Sequence, residues 1–405
     1  MRIIVLNDHA DIVGGAAQVA ISSLNALADA GFDVTFISAV GPVSPLINQN
    51  RVRVVCFNQF DLLGNPSRLD AAIRGIWDSR ASKKLGELLS EYDPNDTIIH
   101  LHTWVKSFSS SAIYEVRSRG FKIVCTLHDY FTVCPNGGLY NYPLQKHCNL
   151  SPMSFGCFAS NCDSRNYMQK IWRFSRHLVQ QQIAGMPDLV DNFISISNYS
   201  ESILRRFLPS RAKIFRVNNP IAVDRGPPSR PSESDAFSFI GRLSPEKGGI
   251  LFARAAREVG VSAQFVGSGI EEKAIRTVLP HASFLGWQDR GGVLKALKRS
   301  RALVLPSLWH ETQGLIVLEA AALGIPSIVS EDCAARDGVV DGKTGFLFKS
   351  GSIEDLSRKL QILHDDPSLV EGMGLNAYER YWDNPCTLAN HVHELVLCYR
   401  KILSS

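Results

Sequence analysis

Short apolar runs alternate with helix-length amphipathic segments along the whole chain. In the first half, residues 2–6, 34–38, 53–57, 97–100, 122–127 and 192–195 read as strands. Residues 15–30 and 68–91 carry the spacing of helices. The second half keeps a cleaner beat, with strands at 237–240, 263–266, 282–285, 302–305 and 327–329. Helices are expected between them at 247–259, 271–278, 289–300 and 315–323. Alternation of this kind predicts parallel sheets covered by helices on both faces, an α/β architecture.

Prolines 220, 227, 228 and 231 interrupt the pattern. They cannot continue a helix or a central strand, so 219–231 reads as a linker. The expected division is a first unit over 1–218, a second over 232–370, and C-terminal helices over 371–405 that pack back toward the first unit. Each unit looks like an open, doubly wound sheet, and ligands of such sheets bind beyond the carboxyl ends of the strands. Two facing units would place the site in the cleft between them.

Composition narrows the classes. The 405 residues are 45% hydrophobic and 20% charged, enough to bury ordinary cores. A net charge of +4 with both signs interspersed is too mild to argue for nucleic acid. No run approaches the roughly 18 apolar residues of a membrane span. The first eight residues read as a strand rather than a secretory leader, so a cytoplasmic protein with reduced cysteines is expected.

The candidate chemistry sits at strand ends. After 302–305 comes Pro306-Ser307-Leu308-Trp309-His310-Glu311-Thr312-Gln313-Gly314-Leu315, and then a helix carrying Glu319. Glu311 falls in the loop, and Gly314 would let backbone approach a ligand. The N–H groups opening the helix attract anions. Glu319 lies among apolar residues and either faces solvent or, if buried, needs a partner such as ribose hydroxyls.

After 237–240 comes Gly241-Arg242-Leu243-Ser244-Pro245-Glu246-Lys247. Arg242 and Lys247 are expected to converge at the sheet edge, a pairing suited to a diphosphate. Gly14-Gly15 opens the first helix without a G-x-G-x-x-G fingerprint, and serves either close ligand approach or packing. His128 and Asp129 end the strand 122–127, where site residues of such sheets gather.

Together these motifs resemble the retaining GT-B glycosyltransferases of the family-4 type. The resemblance spans nearly the whole chain and is firmest where G-R-L-S-P-E-K-G, E-x7-E and Asp341–Leu347 occur in the family's order. It implies two Rossmann-like domains and transfer of a sugar from a nucleotide-diphosphate donor to a glycan or lipid-linked acceptor in polysaccharide or glycoconjugate synthesis. It implies His128, Glu311, Arg242 and Lys247 at the reaction centre. It also implies donor contacts from Gly15, Gly267, Trp287, Gly314, Leu315 and Glu319. No metal and no resident cofactor are expected, since no Asp-x-Asp stands at a strand end. Gln313 occupies a position that is aromatic in many members, which leaves the donor sugar open. An epimerase-like enzyme of the same architecture lacks the E-x7-E and G-R-x4-K pairing, and a non-catalytic relative would not need it.

Two features fall outside that pattern. Cys134, Cys148, Cys157 and Cys162 have 13, 8 and 4 residues between neighbours, and only the last pair suits a structural zinc. Reduced thiols in an ordered loop are therefore favoured. Residues 165–179 form a basic amphipathic helix with apolar positions 168, 171, 172, 178 and 179. A core helix with cations at its rim is favoured, with peripheral contact to an anionic membrane as the alternative.

Overall fold

A computed structural model describes residues 1–404 and shows two lobes, each built on a parallel sheet. The first lobe contains β1 (Arg2–His9), β2 (Asp33–Val40), β3 (Val52–Cys56), β4 (Thr97–Leu101) and β5 (Lys122–Thr126). A two-residue hairpin follows, β6 (Tyr140–Asn141) with β7 (Lys146–His147), and then β8 (Asn192–Ser195) and β9 (Lys213–Arg216). Its main sheet runs β3-β2-β1-β4-β5-β8-β9. The second lobe contains β10 (Phe237–Ile240), β11 (Ala263–Val266), β12 (Ser283–Gly286), β13 (Ala302–Leu305), β14 (Ser327–Ser330) and β15 (Gly345–Phe348), ordered β12-β11-β10-β13-β14-β15.

In both sheets the strand order reverses at one place, between β1 and β4 and between β10 and β13. Crossover helices leave to opposite sides there, opening a crevice at the carboxyl ends. The central strands are buried on both faces, which explains their unbroken apolar runs.

The pattern misplaced several boundaries. Residues 68–91 form two helices, Arg68–Ile76 and Ser79–Leu89. Asp78 separates them: its carboxylate caps the second through the N–H groups of Arg80 and Ala81, and pairs with Arg74 at 2.6 Å. The helix expected from 247 starts at Gly249, because Gly248 sits in the left-handed region at φ 72°. The edge strands β9 and β15 were not anticipated. β9 sets only Ile214 and Phe215 between Lys213 and Arg216, and β15 opens on a glycine, so neither shows an unbroken apolar run.

The chain crosses between lobes twice. Ile221 in the proline-rich segment donates its N–H to Cys386 O, so the two crossings run side by side. The helix Pro367–Asp383 packs on the second lobe through Val370 and Met373. The helix Leu388–Leu403 returns to the first, where Leu395, Tyr399 and Ile402 join Ile3, Val5 and Leu24 in one core. Tyr399 meets His100 Nδ1 at 2.7 Å, and His391 Nε2 meets Ser23 Oγ at 2.8 Å.

The helix Tyr167–Gln182 reverses its expected polarity. Lys170, Arg176, His177 and Gln180 are buried, while Met168 and Leu178 are exposed. Each buried cation has a local reason. Lys170 donates to Cys157 Sγ at 3.2 Å. Arg176 lies over the rings of Phe131 and Trp172, both at 5.2 Å. Cys134, Cys157 and Cys162 are buried free thiols and Cys148 is half-buried. Among the described residues no three metal-ligating side chains converge, and no helix is long and apolar enough to cross a membrane.

Candidate active site

The loops that follow β1, β4, β5, β10 and β13 all open onto the crevice between the lobes. In the β13 loop, Glu311 is buried and accepts from Lys247 Nζ at 2.6 Å and from Ser307 Oγ at 2.7 Å. Burial alone would raise its carboxyl. The ammonium beside it outweighs that effect and holds the group below its usual value. Lys247 also lies 5.1 Å above the ring of Trp309. The result is a preformed ion pair at the start of the helix Leu315–Ala322.

Glu319 is 8% exposed, which removes the solvent-facing alternative. Its partner is Arg290, at 3.0 Å, whose Nε also donates to Ala222 O in the linker. Burial raises the Glu319 carboxyl and Arg290 offsets part of the rise. Arg290 was missed in the sequence. Its only signal was a cation one residue after the Asp289 cap of a helix.

Gly15 and Glu319, from opposite lobes, line one hollow together with Gln18, Ser22, Arg290 and Leu315. A Cβ added at Gly15 would meet no protein atom within 4 Å. Packing therefore gives no reason for that glycine. Gly314 and Gly267 are the reverse. A Cβ at Gly314 would sit 2.2 Å from Ala335 Cβ, and one at Gly267 2.0 Å from Gly241 O. Neighbouring chain occupies the space of their missing side chains, so close packing by itself accounts for both glycines.

Arg242 and Lys247 do not share a hollow, contrary to expectation. The buried carboxylate of Glu311 draws Lys247 inward. Arg242 stays exposed beside a second hollow lined by Gly267, Trp287 and Gln288. Trp287 is itself exposed. Gln313 and Gly314 line a third, with Asn198, Arg216 and Asn218.

His128 sits at the end of β5 and contacts His102, Nε2 to Nδ1, at 2.8 Å. Their rings stack at 5.0 Å, and His100 adjoins His102 at 4.1 Å. Burial pushes His128 down to about 3, so the imidazole is neutral at ordinary pH. Asp129 beside it is pushed up to about 6, chiefly by burial.

The lobes are latched across this region. Tyr130 donates its hydroxyl to His310 O at 2.8 Å, and Thr312 donates to His128 O at 2.8 Å. Tyr199 donates to Asp332 O at 2.6 Å and touches His310 Nδ1 at 2.8 Å. His147 of the β7 hairpin stacks on His310 at 3.8 Å. These aromatic contacts pair residues more than 100 positions apart, which no local pattern signals.

Residues 13–225 match the family described as Glycosyltransferase Family 4, and residues 222–380 match Glycosyl transferases group 1. A glycogen synthase from Mycobacterium tuberculosis is 24% identical over 398 residues, covering 91% of this chain and 87% of its own. An Escherichia coli UDP-Gal:alpha-D-GlcNAc-diphosphoundecaprenol alpha-1,3-galactosyltransferase is 24% identical, covering 88% and 87%. Among solved structures, a sucrose-phosphate synthase from Thermosynechococcus elongatus superposes with a TM-score of 0.73 at 18% identity, covering 100% of this chain and 99% of its own. The two facing lobes are thus those of the GT-B fold.

Proposed function

The chain belongs to glycosyltransferase family 4, and on that premise we propose that it moves a sugar from a nucleotide-diphosphate donor to a glycan or lipid-linked acceptor, with retention at the anomeric carbon and no resident metal. One observation carries the reading. A glycine with open space above it and a buried carboxylate face each other across one hollow, from opposite lobes.

In this reading the donor's diphosphate lies over Gly15, and Glu319 accepts from the ribose hydroxyls. Arg242 approaches the diphosphate from its own hollow as closure brings the walls together. Trp287 flanks the base. Breaking the sugar–phosphate bond builds negative charge on the departing diphosphate. Lys247, held by Glu311, and the N–H groups at the start of the helix Leu315–Ala322 are in place to meet it, and Arg242 joins them on closure. Glu311 holds Lys247 in position. His128 is neutral and lies toward the sugar, where it can donate or accept a hydrogen bond but carries no charge at neutral pH. Retention follows from attack on the face the diphosphate leaves, with the donor phosphate assisting the acceptor hydroxyl. The E. coli galactosyltransferase, whose name specifies a nucleotide sugar and a lipid-diphosphate acceptor, supports both substrate classes.

Thermal shifts with UDP, GDP and their sugars test the reading. A ligand held by the native state alone at 100 times its Kd adds about 2.7 kcal/mol. At least one nucleoside diphosphate should raise the melting temperature, and its sugar should be slowly hydrolysed without acceptor. No shift with any nucleotide overturns the reading.

A further inference from the structure

A cavity of about 480 Å³ lies on the first lobe, between the helices Arg68–Ile76 and Tyr167–Gln182 and the loops that follow β4 and β5. Five cations line it: Arg68, Lys106, Arg165, Arg173 and Arg176, against one carboxylate, Asp61. Arg173 is paired with Asp163 at 3.1 Å. Lys106 and Arg165 are exposed and have no ion-pair partner among the described residues.

Arg176 is the telling group. It is 6% exposed, and its one hydrogen bond among the described residues runs from Nη2 to Pro135 O at 3.2 Å. Its Nε is buried without a partner, and no carboxylate lies within ion-pair distance among the described residues. A buried guanidinium with no carboxylate in contact is costly unless a ligand supplies a countercharge. Burial, and then the like charge of Arg173, hold it down at about 9, and the more distant Asp129, Asp8 and Asp163 offset only part of the fall. Its stacking partner Phe131 stands three residues beyond His128, so the cavity adjoins the reaction centre along the chain.

Apart from Gln169 the remaining lining is apolar, led by Leu62, Leu63, Val105, Phe131, Met168 and Trp172. Two apolar side chains of the lining reach the mouth: Met168 is 72% exposed and Leu63 59%. Cations and apolar side chains share one cavity, which fits an amphiphile with an anionic head, because neither half alone satisfies both surfaces.

We propose that this cavity binds the acceptor, as a phosphate or diphosphate ester joined to an apolar chain, with Arg176, Lys106 and Arg165 on the ester and Met168 and Leu63 on the chain. The assignment of an acceptor role rests on the transferase reading above. Exposed Leu69, Ile73 and Met168 would then also meet the lipid surface from which such an acceptor is drawn.

Calorimetry on the full chain, with the donor cleft saturated by the nucleoside diphosphate that binds best, tests it. The probes are farnesyl diphosphate, inorganic diphosphate and farnesol. Farnesyl diphosphate should bind at least tenfold more tightly than either half alone. Arg165→Glu and Met168→Asp change exposed side chains, so both should fold, and each should weaken farnesyl diphosphate at least fivefold while nucleotide affinity holds. Arg176→Gln should weaken it further. Inorganic diphosphate binding as tightly as the farnesyl ester would make the cavity a free-phosphate site and overturn the proposal. So would farnesyl diphosphate affinity that the substitutions leave unchanged, or no probe binding while nucleotide still binds. Absence of nucleotide binding would instead remove the transferase reading, while titration of the probes without nucleotide still decides whether the cavity takes the ester.

Discussion

Replacing Gly15 by alanine separates a folding role from a ligand role. The residue opens the helix Gly15–Asp29, and an added Cβ meets nothing within 4 Å. Alanine is favoured over glycine inside a helix by about 0.5–1 kcal/mol. At about 2–4 °C per kcal/mol, Gly15→Ala should melt no lower than the parent and up to a few degrees higher. The same methyl points where the donor's diphosphate is proposed to lie. A displacement of the reacting group by about 1 Å costs on the order of 10²-fold in rate, roughly 2.7 kcal/mol of barrier. Donor hydrolysis and sugar transfer should fall by that factor while stability is kept. Gly267→Ala gives the opposite signature. Its Cβ would lie 2.0 Å from Gly241 O, at φ 133°, so stability falls first. Parental turnover and unchanged donor KM in Gly15→Ala would refute the reasoning.

Lys247→Ala removes the countercharge of a buried carboxylate and should cost about 3–5 kcal/mol of stability, alongside a rate loss of at least about 10²-fold. Adding Glu311→Gln should recover stability but not rate, as urea unfolding and transfer assays would reveal. Asp129 sits at about 6 in the folded chain against 3.8 for a free aspartate. The folded state holds that proton more tightly, so the group costs stability above pH 6 and the cost fades below pH 4. Asp129→Asn should raise the melting temperature at pH 8 and leave it unchanged below pH 4; equal shifts at both would contradict this. His128 has the opposite sign: its folded value is about 3, so it costs stability as pH falls from about 6.5. His128→Gln should reduce the stability lost between pH 6.5 and 4, and kcat/KM of the parent should show no limb from this residue between pH 5 and 8.

The central strands were legible because parallel strands buried on both faces write continuous apolar runs, as in β1, β4 and β13. The strand-end loops were legible for the same reason, since each follows such a run. The edge strands β9 and β15 and the Trp77–Asp78 break were not, because β9 sets two apolar residues between charges, β15 opens on a glycine, and a capping aspartate leaves little periodic trace. The site was half legible. Glu311, Glu319, Arg242 and Lys247 could be named, but not that Glu311 claims Lys247 or that Arg290 claims Glu319. Those pairings depend on which helices lie side by side. The helix Tyr167–Gln182 shows the limit most plainly. Its cations are buried by stacking on Phe131 and Trp172 and by thiols from another loop, contacts that a hydropathy pattern cannot carry.

A crystal structure of the protein with bound UDP or GDP tests the central claim most directly. The diphosphate should lie between the backbone at Gly15 and the side chains of Lys247 and Arg242, with both ribose hydroxyls donating to Glu319. A nucleotide well ordered elsewhere, with Glu319 still held only by Arg290, would contradict it.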